Sequence, residues 1–299
     1  MYLAHWGLER TPFDPAPDPG MWVDLDSRIA PAAKLRHGLV HAGAALLTGP
    51  RGAGKTRLAR RALDDFREAG WKTVYLPSVS LSPADVRASV FGEADAGVDA
   101  GGRSEFGRLA DALINRRAAG GRTLLAVDDV ETADPETVAF YRALANVVAA
   151  DAPAVAMLYI GREEPDLPPE ALAPWRLAAG TICRAPLLDP AETRHYLLTR
   201  LKRAGMERPM LTRSAANRMA DFSRGRLSDL NRLADLALVA GFGAGAEKIT
   251  PDLVEMAAAD LGLASGPVLD ADVAFEMPPP SFSPPVELDV LASLEAAGA

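Results

Sequence analysis

Eight consecutive residues, Gly49-Pro50-Arg51-Gly52-Ala53-Gly54-Lys55-Thr56, place two glycines, a lysine and a hydroxyl at the spacing G-x-x-x-x-G-K-[ST]. Each residue type has a physical task in that pattern. Glycines let the backbone turn tightly, so that several N–H groups converge on phosphate oxygens. A helix opening at Lys55 would turn its positive end toward the same anion. Lys55 then reaches the β- and γ-phosphates of a nucleoside triphosphate, and the Thr56 hydroxyl is placed to ligate Mg²⁺. The flanks are those the motif demands, an apolar strand Ala44 to Thr48 before it and a helical pattern from Lys55 to about Ala69 after it. A chance glycine-rich turn would not need that setting.

A triphosphate-bound Mg²⁺ also needs a carboxylate that holds it through water. Thr123-Leu124-Leu125-Ala126-Val127-Asp128-Asp129 supplies one, as an apolar strand ending in two acids. Asp128 is the expected Mg²⁺ residue. Asp129 is the expected group that orients an attacking water, if hydrolysis occurs. The plainer alternative is a strand that ends at a solvated acidic loop, but the phosphate motif already requires such a residue.

The elements that must position these groups can be read from periodicity and capping signals. Strands are expected at Ala44–Thr48, Thr73–Leu76, Thr123–Val127, Val155–Ile160 and Thr181–Arg184, with helices between them. Ser82-Pro83 opens a helix to Phe91, Ser104 one to Ala118, and Asp134-Pro135 one to about Ala150. A first helix is expected over Ala32–Ala42, and Gly92 to Arg103 reads as a mobile loop. Strands alternating with helices predict an α/β fold, a parallel sheet with helices on both faces. After Pro186 the pattern is all helical. Asp189-Pro190, Thr212, Leu227 and Thr250-Pro251 open helices reaching about Ala204, Phe222, Ala240 and Leu261. The expected organisation is an irregular lead-in over 1–31 laid on a domain surface, a nucleotide-binding domain over 32–187 and a helical lid over 188–264. A Pro-rich linker and short tail follow over 265–299, with one amphipathic helix at Val286–Ala297.

Composition narrows the class. Of the 299 residues 48% are apolar, so a sizeable core can form and wholesale disorder is not expected. The single cysteine, Cys183, excludes an internal disulfide, fits a reducing compartment and reads as a small core residue. No secretory signal opens the chain, and no run reaches the ~18 apolar residues of a membrane span. The expectation is a cytoplasmic chain that does not insert into membranes by itself. A net charge of −8 argues against gross non-specific nucleic-acid binding. The charge is uneven, however. Arg184 to Arg232 holds 11 basic and 5 acidic residues, whereas Glu247 to Ala299 holds 1 basic and 10 acidic.

The chain resembles general secretion pathway protein A (ExeA-type) ATPases of the AAA+ class. Tyr2…Gly7-Leu8…Pro12-Phe13…Pro17-Asp18-Pro19 carries the family's fairly specific N-terminal signature. The likeness continues through Gly38-Leu39, the phosphate motif, Asp128-Asp129 and Leu158-Tyr159-Ile160-Gly161. It runs on through Pro186-Leu187, Glu192-Thr193, Tyr196, Arg200-Leu201, Ala204-Gly205, Gly225 and Leu230-Asn231, so it spans about Met1 to Leu261. Beyond the N-terminal signature these features are shared with exopolysaccharide-export ATPases and with transposition regulators of the TniB/TnsC kind. The resemblance implies an AAA+ core, a helical lid, ATP and Mg²⁺ as cofactors, a homo-oligomer, and ATP-driven assembly of a protein partner.

Departures from the family pattern matter. Asp-Glu-Ala-Gln is usual where this chain has Asp128-Asp129-Val130-Glu131, so Asp129 is one methylene short of the usual water-activating Glu. Gly-Gln is usual where Arg162 follows Gly161. The lid's usual Pro-Arg is replaced by Leu227-Ser228, which leaves Arg226 as the arginine that could stand in. Arg176 is the candidate finger offered to a neighbouring subunit. Where the family carries a membrane span and a periplasmic domain, the expectation here is only the Pro-rich linker and tail. Three functions follow: an ATPase of a secretion or envelope-assembly system, a DNA-associated ATPase regulating transposition, and a nucleotide-gated scaffold with slow hydrolysis.

Lesser features keep two readings each. His37 and His41, four apart, are a metal-ligand spacing or a surface pair. Trp6, Phe13 and Trp22 contact a ligand base or pack onto the α/β domain. The arginines of the helical region meet phosphate backbones or form a solvated face.

Overall fold

The computed structural model describes residues 2–14, 19–92 and 104–263. Most of the glycine-rich loop, the Pro-rich linker and the Val286–Ala297 helix lie outside them. In chain order the elements begin with α1 (Tyr2–Trp6), α2 (Asp26–His37), β1 (Ala44–Thr48), α3 (Lys55–Glu68), β2 (Lys72–Leu76), α4 (Pro83–Phe91), α5 (Glu105–Ala118) and β3 (Thr123–Val127). They continue with α6 (Pro135–Ala145), β4 (Val148–Ala149), β5 (Ala152–Pro153), β6 (Ala156–Ile160), α7 (Ala173–Ala178) and β7 (Thr181–Arg184). The last four are α8 (Pro190–Arg203), α9 (Arg213–Ser223), α10 (Leu227–Gly243) and α11 (Pro251–Asp260).

Two compact units divide the chain. One comprises Ala30–Pro50 and Lys55–Ala185. Its sheet is parallel throughout, in the order β2-β3-β6-β1-β7. Strands β1, β3 and β6 are buried at every position, which is why they read as unbroken apolar runs rather than alternating ones. Leu46, Val74, Leu125, Met157 and Tyr159 join Leu109, Leu113, Tyr141 and Trp175 from the helices in one core. The parallel arrangement brings the carboxyl ends of β1, β3 and β6 side by side. Gly38 closes this unit near its start: a Cβ there would lie 2.5 Å from Thr181 Cβ, so only glycine fits.

The other unit comprises the N-terminal segment to Ile29, Arg51–Gly54 and the chain from Pro186. Helices α8 to α11 pack around Leu197, Leu230, Leu233, Ala237 and Val254. The lead-in belongs to this core. Trp6, Leu8, Phe13, Met21 and Val23 are buried in it. Trp6 Nε1 donates to the Leu238 carbonyl at 2.9 Å, and the Tyr2 hydroxyl donates to Asp235 at 2.7 Å. Arg200, only 1% exposed, donates to the backbone carbonyls of Pro12, Asp14 and Met21. Trp6 and Phe13 therefore pack among the C-terminal helices.

Three expectations are corrected, and one element had not been anticipated. The lead-in is not wholly irregular, because it contains α1. The helix expected over Ala32–Ala42 is α2, which starts at Asp26 with Pro31 inside it and ends in a wider π turn over Gly38–Ala42 that stops at left-handed Gly43. Pro31 looked like a boundary because proline removes a helical donor. Helix α6 ends at Ala145, since Val148–Ala149 turns back on Ala152–Pro153 through left-handed Ala150 and Asp151. Helix α7, too short for a clear periodic signal, had no expected counterpart.

Candidate functional site

The phosphate motif leaves β1 at Thr48. Gly49, Gly52 and Gly54 take φ of 149°, 75° and 83°, a run that side chains with a Cβ resist. At Gly49 a Cβ would also meet the Ala185 carbonyl oxygen at 2.4 Å. Helix α3 starts at Lys55, so its first N–H groups and positive end face the loop. A loop of that backbone shape ahead of a helix N-terminus could hold an anion.

Lys55 Nζ donates to the carbonyls of Gly49 and Pro50, each at 3.0 Å, folding the amine back over the loop. Burial lowers its pKa, and Glu131, Asp128, Glu164 and Asp129 oppose that shift. Thr56 Oγ1 donates to Asp128 Oδ2 at 2.7 Å, which joins the two motifs across 72 residues of chain. Asp128 is 5% exposed and held from three directions. The Tyr75 hydroxyl donates to the same Oδ2 at 2.7 Å, and the Asp129 N–H donates to Oδ1 at 3.0 Å. Among the described residues no group of three or more His, Cys, Asp or Glu could hold a metal alone. The Thr56–Asp128 pair offers hard oxygen donors suited to Mg²⁺, which keeps most of its shell from water and phosphate.

Asp129 sits in the left-handed region (φ 55°, ψ 37°) at the head of a short 3-10 turn, Val130–Thr132. Its own carbonyl accepts from the Thr132 hydroxyl at 2.7 Å. Burial raises its pKa, with Asp128 and Glu131 adding to the shift and Lys55 and Arg162 opposing it. Two residues on, Glu131 accepts from the Arg162 backbone N–H at 2.9 Å, and its Oε1 lies 3.6 Å from Arg162 Nε.

Lys55, Thr56, Asp128 and Asp129 thus gather at the carboxyl ends of β1 and β3. Arg176, on α7, pairs with Glu163 at 2.9 Å, and Glu163 also meets Arg184 at 3.3 Å. Arg51–Gly54 and Arg226 belong to the helical unit. There a Cβ on Gly52 would lie 3.1 Å from Arg226 Cβ and 2.4 Å from Ser228 Oγ, and Arg28 Nη2 donates to the Ala53 carbonyl at 2.5 Å. Sequence reasoning missed Tyr75 and Arg28, and named Glu131 and Arg162 only as departures. A tyrosine next to the end of β2 was the available signal for the first, once β2 and β3 are taken as neighbours.

A family model described as an AAA domain matches residues 37–166. Cdc6p from Pyrobaculum aerophilum superposes with a TM-score of 0.65 at 18% identity, covering 83% of this chain and 70% of that one. The Aeropyrum pernix ORC1 protein in complex with DNA gives 0.61 at 19% identity, over 84% and 68%. The RuvB branch migration motor of Thermotoga maritima gives 0.56 at 15%, over 83% and 73%. The fold is AAA+. By sequence the chain is similar to general secretion pathway protein A of Aeromonas hydrophila, 29% identical over 265 residues and 86% of this chain. It spans about half, 48%, of that relative's length.

The lesser candidates resolve locally. The His37 and His41 rings lie with centroids 4.5 Å apart and planes tilted by 43°. Trp22 donates to Asp24 at 2.8 Å. Cys183 is buried, and burial pushes its thiol up to about 11, so little thiolate forms near neutrality. Part of the basic count in the helical unit is used internally: Arg200 is buried on carbonyls, and Arg218 pairs with Glu255 at 2.9 Å. No helix among the described residues is long and apolar enough to cross a membrane.

Proposed function

We propose that the chain binds Mg·ATP on the loop Gly49 to Thr56, hydrolyses it slowly, and couples that cycle to assembling a protein partner of a secretion or envelope system. The observation that carries the nucleotide reading is the Thr56–Asp128 hydrogen bond beside a loop whose glycines all take conformations open to an anion. Lys55 exchanges its two loop carbonyls for phosphate oxygens, a better partner for an ammonium. Thr56 and Asp128 would hold Mg²⁺, which when bound would withdraw charge from the phosphates. Asp129 orients the attacking water. Its left-handed backbone re-aims the short side chain, and its raised affinity for a proton suits a base. Arg176 serves a neighbouring copy, and Arg226 is the second arginine assigned to nucleotide binding. The domain boundaries proposed are 32–187 and 188–264, with the lead-in assigned to the lid's core.

The secretion assignment is supported by the 29% identical relative, and rests on the half of that protein this chain matches. A DNA-linked role is the second reading. It is favoured by the DNA-bound ORC1 likeness and by the basic stretch Arg184 to Arg232.

Mg·ATP titration tests the core of the proposal. Lys55→Ala should lose at least ~100-fold in affinity, because an ammonium–phosphate pair in a partly buried site is worth about 3 kcal/mol. Retained micromolar binding would remove the phosphate-loop assignment. Phosphate release measured with and without duplex DNA separates the two roles. DNA-stimulated turnover that falls steeply with salt supports the second.

A further inference from the structure

Lys72, Arg116, Arg117 and Arg122 stand together at the amino edge of the sheet, the edge opposite the phosphate loop. Arg116 and Arg117 lie in the last turn of α5, Arg122 immediately precedes β3, and Lys72 opens β2. The parallel register joins them. Lys72 lies opposite Thr123, and its N–H donates to the Arg122 carbonyl at 2.9 Å. Strands β2 and β3 are five residues long, so at ~3.3 Å per residue about 13 Å separates this edge from the carboxyl one.

The turn between α5 and β3 gathers the arginines. The N–H groups of Gly120 and Gly121 donate to the carbonyls of Arg117 and Arg116 at 3.0 and 2.9 Å. A Cβ on Gly121 would lie 2.9 Å from Arg116 Cγ and 3.3 Å from its Cζ, so the Arg116 side chain can fold over the turn because that residue is glycine. Arg122 is held over the Trp71 ring, its Cζ 5.3 Å from the centroid, and Trp71 packs in turn on Phe66. Burial lowers the Arg122 pKa, and the neighbouring Arg117 lowers it further.

This cluster is charged beyond what the fold uses. The carbonyl end of α5 carries about half a negative charge, which favours Arg116 and Arg117 but leaves Lys72 and Arg122 unmatched. Among the described residues none of the four is ion-paired, whereas Arg67, Arg87 and Arg108 each meet an acid. Arg116 Nε and Thr123 Oγ1 are buried with no hydrogen-bond partner. Like charges held together beside unused buried polar atoms cost free energy that a bound anion would offset.

The arrangement also selects the anion. A nucleic-acid backbone spreads single charges along a strand and is met by a stripe of cations. These four come from one turn and the strand start beside it, a compact set suited to one multiply charged group, and guanidinium forks match phosphate oxygens. We propose that Lys72, Arg116, Arg117 and Arg122 form a second anion site that binds a phosphomonoester or diphosphate, either free or on a lipid headgroup. The site stands whether or not the phosphate loop binds nucleotide.

Calorimetric titration of the full-length Lys55→Ala chain with inorganic diphosphate tests it, because that substitution weakens competition from the phosphate loop. Saturable binding is expected, and adding Arg117→Gln with Arg122→Gln should weaken it at least ~10-fold. Cosedimentation with phosphatidylcholine vesicles, with and without phosphatidic acid, distinguishes the sources. Diphosphate binding assigns a free phosphate. Binding only to the phosphatidic acid vesicles, lost in the paired variant, assigns a headgroup, and either result supports the site. The paired exchange relieves repulsion, so Tm should be unchanged or higher; a lowered Tm would show that the arginines serve the fold and overturn the proposal. Binding to neither probe, binding that the paired exchange leaves intact, or binding to duplex DNA alone would overturn it as well.

Discussion

Asp128 shows how one carboxylate is held ready. Oδ2 accepts from both Thr56 and Tyr75 at 2.7 Å, and the phenol's pKa is raised first by burial and then by that hydrogen bond, so it donates as a neutral group. Tyr75→Phe removes one donor and should cost about 1–2 kcal/mol of Asp128 orientation. The expected readout is a several-fold higher Mg²⁺ requirement for nucleotide binding with little change in Tm, measured by Mg²⁺ titration. Asp129 carries a stability consequence. Its pKa is raised in the fold, so the folded state holds that proton more tightly than the unfolded chain. The contribution is complete below the unfolded pKa and is lost as pH rises through the folded one. Asp129→Asn should therefore raise Tm at neutral pH, with the gain shrinking as pH falls through the carboxylate range. Thermal melts across that range check the sign. Lys55, Thr56 and Asp128 were legible in sequence because their spacing is fixed by one loop and one strand tip. Tyr75 was not, because its role depends on β2 pairing with β3, where Leu76 accepts from the Asp128 N–H at 3.0 Å.

At the scale of elements, the clearest signals were caps. Ser82, Ser104, Asp134, Asp189 and Thr212 each accept a backbone N–H from their helix's first turn, as their residue types lead one to expect. Local chemistry sets such starts, so sequence shows them. The placement of the N-terminal segment is long-range and was not legible. It depends on Arg200, whose buried guanidinium ties together three carbonyls of a segment nearly 190 positions earlier. In sequence Arg200 looks like one more basic residue of a polar helix. Arg200→Met keeps the aliphatic bulk but strands those carbonyls, at roughly 1–3 kcal/mol for a buried polar group left unpaired. The expected loss is about 3 kcal/mol. Trp6, whose indole is buried beside Leu238, should become solvent-exposed before the rest unfolds. Tryptophan fluorescence and limited proteolysis of the N-terminal segment report this. An unchanged emission maximum together with wild-type protease resistance would show that Arg200 does not anchor the segment.

At the scale of the whole molecule, the fold class was legible because buried parallel strands leave unbroken apolar runs and their crossover helices leave caps. Cooperation between copies, as proposed through Arg176, would need a surface that only a second copy completes. Arg176 is the residue to test. Its side chain is 41% exposed on α7 beside Leu177, itself 81% exposed, and its pairing with Glu163 leaves it at a solvent-facing edge. An arginine that completed its own chain's site would make hydrolysis per chain independent of concentration. One offered to a neighbour makes turnover per chain rise with concentration until assembly saturates. Arg176→Ala should keep Mg·ATP affinity within about twofold and lose roughly 100-fold or more in turnover. The decisive experiment mixes two inactive chains. Arg176→Ala retains Asp129, and Asp129→Asn retains Arg176, so an interface between them contains one complete pair in one orientation. Equal amounts should regain a substantial fraction of wild-type phosphate release, whereas arginines acting within their own chain would leave the mixture as inactive as its parts.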